Sequence, residues 1–236
     1  MIFFGKILDY INNFVNLVYP NYCVLCLSNL HQNEATICTI CEVKLPYTNY
    51  HKSIDNPIEK KLWGRVPIQK ASSLLFFEKG LEVQQLISNL KYKNREDVGA
   101  KLAEIYARHL LRDDSKFLKV DLLIPIPLHY KKKKRRGYNQ CDSFTITLSE
   151  QLKIPFSLTS IERKVDTVSQ TGKSRINRWE NVSEIFKVVD SEKLKNKHIL
   201  LIDDVMTTGA TLEALANKVL AVEGTRVSLL VMASAV

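Results

Sequence analysis

Glycine (8) and proline (7) are scarce in this 236-residue chain, which excludes a collagen-like fibre and a low-complexity tail. No apolar run approaches the ~18 residues that span a bilayer as a helix, so a membrane-spanning protein is excluded as the main reading. No internal period of about 20–50 residues repeats, which removes solenoids and propellers. Acidic residues are the minority: 25 Asp+Glu stand against 34 Lys+Arg, a formal charge of +9. That balance favours polyanionic partners such as nucleic acid, phosphorylated metabolites or an anionic membrane face, although solubility alone accounts for it equally well. A secretory signal is also missing. The opening MIFFGKILDYINNFVNLVY has apolar residues at helical spacing but is interrupted by Lys6, Asp9, Asn12, Asn13 and Asn16. It reads as an amphipathic helix that packs on the rest of the protein. Docking on the inner face of a membrane is the second reading, and its Asn-rich rather than basic polar face argues against it. The expected compartment is the cytoplasm.

What is present is ordinary for a globular chain, 45% apolar and 25% charged. Four of five cysteines form a pattern: Cys23-Val-Leu-Cys26 and Cys38-Thr-Ile-Cys41, with eleven residues between the pairs. Each C-x2-C knuckle bends the backbone so that two thiolates converge, and two knuckles complete a tetrahedron. Zinc is the first reading; a rubredoxin-type iron site and a pair of disulfides are the alternatives. With four sulfur ligands no position is left for water, so the site is expected to be structural. Cys141 is expected to be a core or helix-face thiol.

Residues 1–60 are read as the helix and the four-cysteine module, too small to fold without metal. Residues 61–236 are read as one α/β domain, and 51–69, with Pro57 and Pro67, as a linker. Strands are expected over 70–78, 120–128, 185–190, 197–205 and 226–235, and helices over 81–92, 96–112, 138–152 and 209–223. Short apolar runs separated by helices predict a parallel or mixed sheet covered on both faces, which binds ligands at the carboxyl ends of its strands.

That rule singles out Ile199-Leu200-Leu201-Ile202, followed by Asp203-Asp204, Val205-Met206, Thr207-Thr208-Gly209-Ala210-Thr211 and a helical run from Leu212. Gly209 allows close approach of the backbone to a ligand. The threonine hydroxyls, successive N–H groups and a helix start suit an anion. The two carboxylates cannot bind that anion, but they can accept hydrogen bonds from sugar hydroxyls attached to it. Together these describe a site for a ribose 5-phosphate moiety.

Residues 199–211, ILLIDDVMTTGAT, resemble the phosphoribosyl-pyrophosphate (PRPP) signature of type I phosphoribosyltransferases. Two further segments extend the likeness. One is Pro125-Ile-Pro127-Leu-His129 running into Lys131–Arg136 and Gly137-Tyr138-Asn139-Gln140. The other runs from Arg163 to Phe186 and includes Thr167, Gln170, Arg175, Arg178 and Asn181. With Leu90-Lys91-Tyr92 and the cysteine knuckles, nearly the whole chain resembles the ComF family of bacterial natural competence. That resemblance implies a type I phosphoribosyltransferase-like fold with a small N-terminal zinc module, and a role in DNA uptake beside a DNA helicase. It also implies PRPP or a related ligand, with Mg2+, at Asp203–Thr211. Asp203 and Asp204 would hold the ribose hydroxyls and Thr207 to Thr211 the 5-phosphate.

By the same resemblance the basic residues Lys131, Lys132, Lys133, Lys134, Arg135 and Arg136 lie near the donor's pyrophosphate. Residues 163–181 resemble the mobile loop of such enzymes, bringing Arg163, Arg175 and Arg178. The same cations would bind the phosphates of single-stranded DNA, with Tyr130, Tyr138 and Trp179 available to stack on bases; a plain solvated face and core aromatics are the bland readings. An active phosphoribosyltransferase of nucleotide metabolism, using Asp203 and Asp204 with PRPP and Mg2+, is the alternative function. Thr171-Gly172-Lys173-Ser174 is no Walker A loop, because position 167 is Thr where that motif needs Gly.

Overall fold

The computed structural model describes residues 21–77, 82–115, 117, 119–164 and 185–235. The helix expected over 1–19 lies outside them, as do Arg175, Arg178, Trp179 and Thr171–Ser174. The chain divides into two units, Met1–Leu45 and Pro46–Val236.

In the smaller unit the chain turns back on itself through isolated bridges, Tyr22 with Asn29 and Ala35 with Ile37. It ends in helix α1 (Thr39–Lys44), whose N-cap is Cys38. The Cys38 thiol accepts the Cys41 N–H, so one residue caps the helix and carries a sulfur of the second knuckle.

The larger unit is built on a four-stranded parallel sheet in the order β1-β6-β5-β2. These strands are β1 (Ala71–Phe76), β2 (Leu122–Pro125), β5 (His198–Met206) and β6 (Arg226–Ser234). The two central strands, β5 and β6, are apolar at successive positions because both faces are covered. Register places Leu200 beside Leu123 on one side and Ser228 on the other, and Asp203 beside Val231.

Helix α7 (Ala210–Leu220) packs on β5 and β6. Helices α3 (Glu82–Tyr92) and α4 (Glu96–Arg112) pack together, and α4 lies on α6 (Asp142–Leu152), which packs on β2. Tyr106 on α4 donates its buried hydroxyl to Ser72 Oγ on β1 at 2.7 Å. A two-stranded antiparallel ribbon, β3 (Ile161–Arg163) with β4 (Phe186–Val188), completes the unit. Residues 155–157 cover the outer edge of β2 through backbone bonds to Leu123.

Two expectations need correction. Residues 51–69 are not a bare linker: they begin inside a 3-10 turn, Tyr50–Lys52, and contain helix α2 (Pro57–Leu62). Asn56 accepts the N–H groups of Ile58 and Glu59 at 3.1 and 3.2 Å, and Pro57 takes the first helical position, which needs no donor. Ile58 and Leu62 are buried in the sheet core, so α2 belongs to the larger unit. The basic run is itself a helix, α5 (Tyr130–Arg136), stopped by Gly137 at φ 85°. The helix expected from 138 therefore begins only at Asp142, because residues 137–141 form the turn between α5 and α6.

Candidate functional site

Strand β5 carries Asp203 and Asp204 near its carboxyl end and continues through Val205 and buried Met206. The chain then bends at Thr207 and Thr208, both exposed, and enters α7 at Ala210. Gly209 makes the reversal at φ 79°, and a Cβ there would lie 2.8 Å from Met206 Cε. Ala210 N–H donates to Thr208 Oγ1 at 3.4 Å. Thr211 sits in the first turn of α7, half-buried. Positions 203–211 thus run without interruption from the end of a central strand to the start of a helix.

The acidic pair is asymmetric. Asp204 is buried, and its Oδ1 pairs with Lys91 Nζ at 2.9 Å. Asp203 is half-buried, and its Oδ1 accepts the Asp204 N–H at 2.8 Å. Burial first, and the neighbouring Asp204 charge second, push the Asp203 carboxyl up to about 7, against the Asp204 N–H, Lys91 and Arg163. Cys141, fully buried, lies with Sγ 3.9 Å from Asp203 Oδ1. Its thiol is pushed well up, chiefly by burial and then by the two carboxylates, so it stays protonated as a core group.

Lys91 reaches Asp204 because its helix end is tied down on both sides. Tyr138 donates its hydroxyl to the Leu90 carbonyl, and the Arg136 guanidinium lies over the Tyr92 ring, 5.1 Å from its centroid. Arg136 ends α5, and the turn after it, which supplies Tyr138, is ordered by Asn139, which donates to Ile126 O at 3.0 Å and to Asp142 Oδ1 at 2.9 Å. Segments 90–92 and 136–141, distant in sequence, are therefore joined, and Lys91 and Cys141 from them reach the acidic pair. Tyr138 is 8% exposed, so it is a core tether and not the stacking ring that sequence suggested.

Of the basic residues, Lys131 to Arg136 stand on α5 directly after β2. Arg163 ends β3, with its guanidinium 5.5 Å from the Phe186 ring centroid, and its charge lowers the Asp203 pKa. Arg65 was missed by sequence reasoning. Its Nη1 donates to Thr208 O at 3.1 Å and its Nη2 pairs with Glu213, which clamps the threonine turn to α7. No local pattern marks it, since its partners lie far along the chain. Lys91 was visible only as part of a motif, without a role.

In the smaller unit the four sulfurs of Cys23, Cys26, Cys38 and Cys41 lie within 4.8 Å of one another. All four are free thiols, and Cys26 and Cys38 sulfurs are 3.7 Å apart. A disulfide would require about 2.05 Å. Tetrahedral zinc with ~2.3 Å bonds puts its sulfurs about 3.8 Å apart, so the cluster fits that ion. Hydrogen bonds from Ser28 hold the Cys26 thiol down to about 6, whereas burial and the neighbouring thiols push Cys41 up. A divalent cation would relieve the repulsion among the thiolates.

The family described as phosphoribosyl transferase domain matches residues 97–235. Competence protein F of Haemophilus influenzae is 27% identical over 83% of this chain and 89% of its own length. The DNA utilization protein YhgH of Escherichia coli is 26% identical over 86% of this chain and 92% of its own. Among solved structures, the glutamine PRPP amidotransferase from B. subtilis superposes with a TM-score of 0.39 at 16% identity. That match covers 58% of this chain and only 26% of the longer enzyme.

Proposed function

Since the chain belongs to the phosphoribosyl transferase domain family and is a ComF-type protein, we propose that it serves DNA uptake and utilisation by binding two ligands. A phosphoribosyl ligand, PRPP or a related nucleotide, binds at Asp203–Thr211. Single-stranded DNA binds along the basic surface of α5, and a DNA-uptake helicase is its protein partner.

The observation that carries the first half is the continuity of the acidic pair with the threonine turn. Two carboxylates stand at the end of a central strand, and the hydroxyl-bearing turn and the start of an eleven-residue helix follow at once. Ribose hydroxyls donate to the carboxylates, and the 5-phosphate accepts from the turn and the helix start. Lys91 already neutralises Asp204, which leaves Asp203 as the carboxylate most responsive to a ligand's donors. Mg2+, arriving with the ligand, would be held beside Asp203 and would offset the charge of the pyrophosphate. Zinc in the four-cysteine cluster holds the N-terminal unit together, with no position open for chemistry.

Titration calorimetry with PRPP and Mg2+ tests this reading. The wild-type chain is expected to bind, and Asp203→Ala with Asp204→Ala to lose binding while keeping a cooperative fold. Equal affinity in the double variant would overturn the site.

A further inference from the structure

Two exposed tyrosines bracket α5, and each is held from behind. Tyr130, the first residue of the helix, is 65% exposed, and its ring lies against that of His129 with centroids 4.6 Å apart. At the other end the guanidinium of Arg136 covers one face of Tyr92, which is nevertheless 68% exposed. Arg136 is itself fixed, because its Nη1 donates to Gln140 Oε1 at 2.6 Å. Its Nε is buried and has no hydrogen-bond partner among the described residues. Six residue steps at 1.5 Å set the two ends of the helix about 9 Å apart. Between them Lys131, Lys133, Lys134 and Arg135 are all exposed.

An exposed tyrosine normally loses side-chain freedom when something stacks on it. These two rings are already held, so less of that cost remains. A guanidinium over one face of an aromatic ring is attracted to it, which holds Tyr92 in place while its other face stays open. Bases offer π-faces and their backbone offers phosphates; α5 presents Tyr130 and the cations, and its far end, through Arg136, holds Tyr92 at the end of α3. A duplex hides its base faces and would gain from the cations only.

We propose that Tyr92 and Tyr130 are two base-stacking stations on a single-stranded DNA track along α5, with the exposed lysines and Arg135 on the phosphates between them. The proposal rests on the single-strand-binding reading above and specifies which side chains meet the bases. Because Tyr92 follows Lys91, whose ammonium bonds Asp204, the track starts beside the phosphoribosyl site.

Fluorescence anisotropy with the full chain and a labelled oligothymidylate of about 20 nucleotides, longer than common single-strand site sizes, tests it across a salt series. Tyr92→Leu and Tyr130→Leu are each expected to raise Kd about ten-fold, with the salt slope unchanged. Tyr92→Phe and Tyr130→Phe, which keep the ring, should bind like wild type. Lys133→Ala with Lys134→Ala should flatten the slope by about 1.4, roughly 0.7 for each phosphate left without its cation. On an abasic oligomer of equal length the leucine variants and wild type should bind alike. If wild type binds oligothymidylate and the leucine variants match it, the stations are wrong and the single-strand reading stands. Equal weakening on the base-bearing and abasic strands would likewise overturn the stations, as a structural effect. If wild type binds no single strand at low salt, the reading and the stations fall together.

Discussion

Asp203 and Asp204 are neighbours in sequence with opposite environments. Asp204 has its counter-charge, Lys91, at 2.9 Å, whereas Asp203 faces a buried thiol and another carboxylate. A carboxyl whose folded pKa is raised from 3.8 to about 7 binds its proton more tightly when folded. The folded state therefore holds more protons between about pH 4 and 7, and stability falls as pH rises through that window. Asp203→Asn is expected to raise stability above pH 7, on the order of 1–3 kcal/mol, with the gain vanishing near pH 4. Urea unfolding of wild type and variant at pH 4, 6 and 8 checks this; a gain independent of pH would contradict it. The same variant is expected to weaken PRPP binding, and stability gained together with binding lost would mark the pair as a site held at a cost in stability.

At the scale of elements, the strand-to-helix passage at Gly209 and the cap at Asn56 hold the site's surroundings. Met206 Cε is the far end of a flexible side chain and can give way to a new Cβ at residue 209, so the φ of 79° decides the outcome. Gly209→Ala is expected to cost about 1–2 kcal/mol by the left-handed penalty alone. Asn56 does double duty. It caps α2, and its Nδ2 donates to Ala71 O at 2.8 Å, joining that helix to the start of β1. Asn56→Ala is expected to cost about 2 kcal/mol or more, and Asn56→Asp, which keeps the cap but not the donor, an intermediate amount. Chemical denaturation reads both, and an aspartate as costly as alanine would show that the cap contributes nothing.

At the scale of the whole molecule, the two units draw on different forces. Pro46–Val236 has a sheet core with helices packed on it, whereas the described part of Met1–Leu45 has few buried apolar side chains beside its cysteines. Metal binding is therefore expected to supply the folding free energy of the smaller unit. Chelation, or Cys23→Ser or Cys38→Ser, should release one zinc per chain and strip amide protection from residues 21–45. Protection across β5 and β6 should persist. Zinc retained at one per chain in either serine variant would contradict this, as would collapse of the sheet on chelation. No helix among the described residues is long and apolar enough to cross a membrane.

The sequence by itself determined whatever is encoded between near neighbours along the chain. Both cysteine knuckles, the apolar run of β5 with its acidic pair, and the threonine turn at Gly209 are local patterns. Spacing and periodicity set their geometry before any packing occurs. The helical state of Lys131–Arg136 is also local, but like charges masked it, since they argue against a helix until Gly137 stops one. Helix α2 was hidden because Pro57 reads as a breaker unless its position behind a capping Asn56 is weighed. Tertiary structure alone decided the partners. Lys91 meets Asp204, Arg65 clamps Thr208, Cys141 sits by Asp203 and Arg136 covers Tyr92. It also sent Tyr138 to the core and left Tyr92 and Tyr130 on the surface. Such pairings depend on how α3, α6 and the turn at 137–141 pack against the sheet. A side chain's period along its own element says which face it occupies, and only the packing of distant elements says what that face will touch.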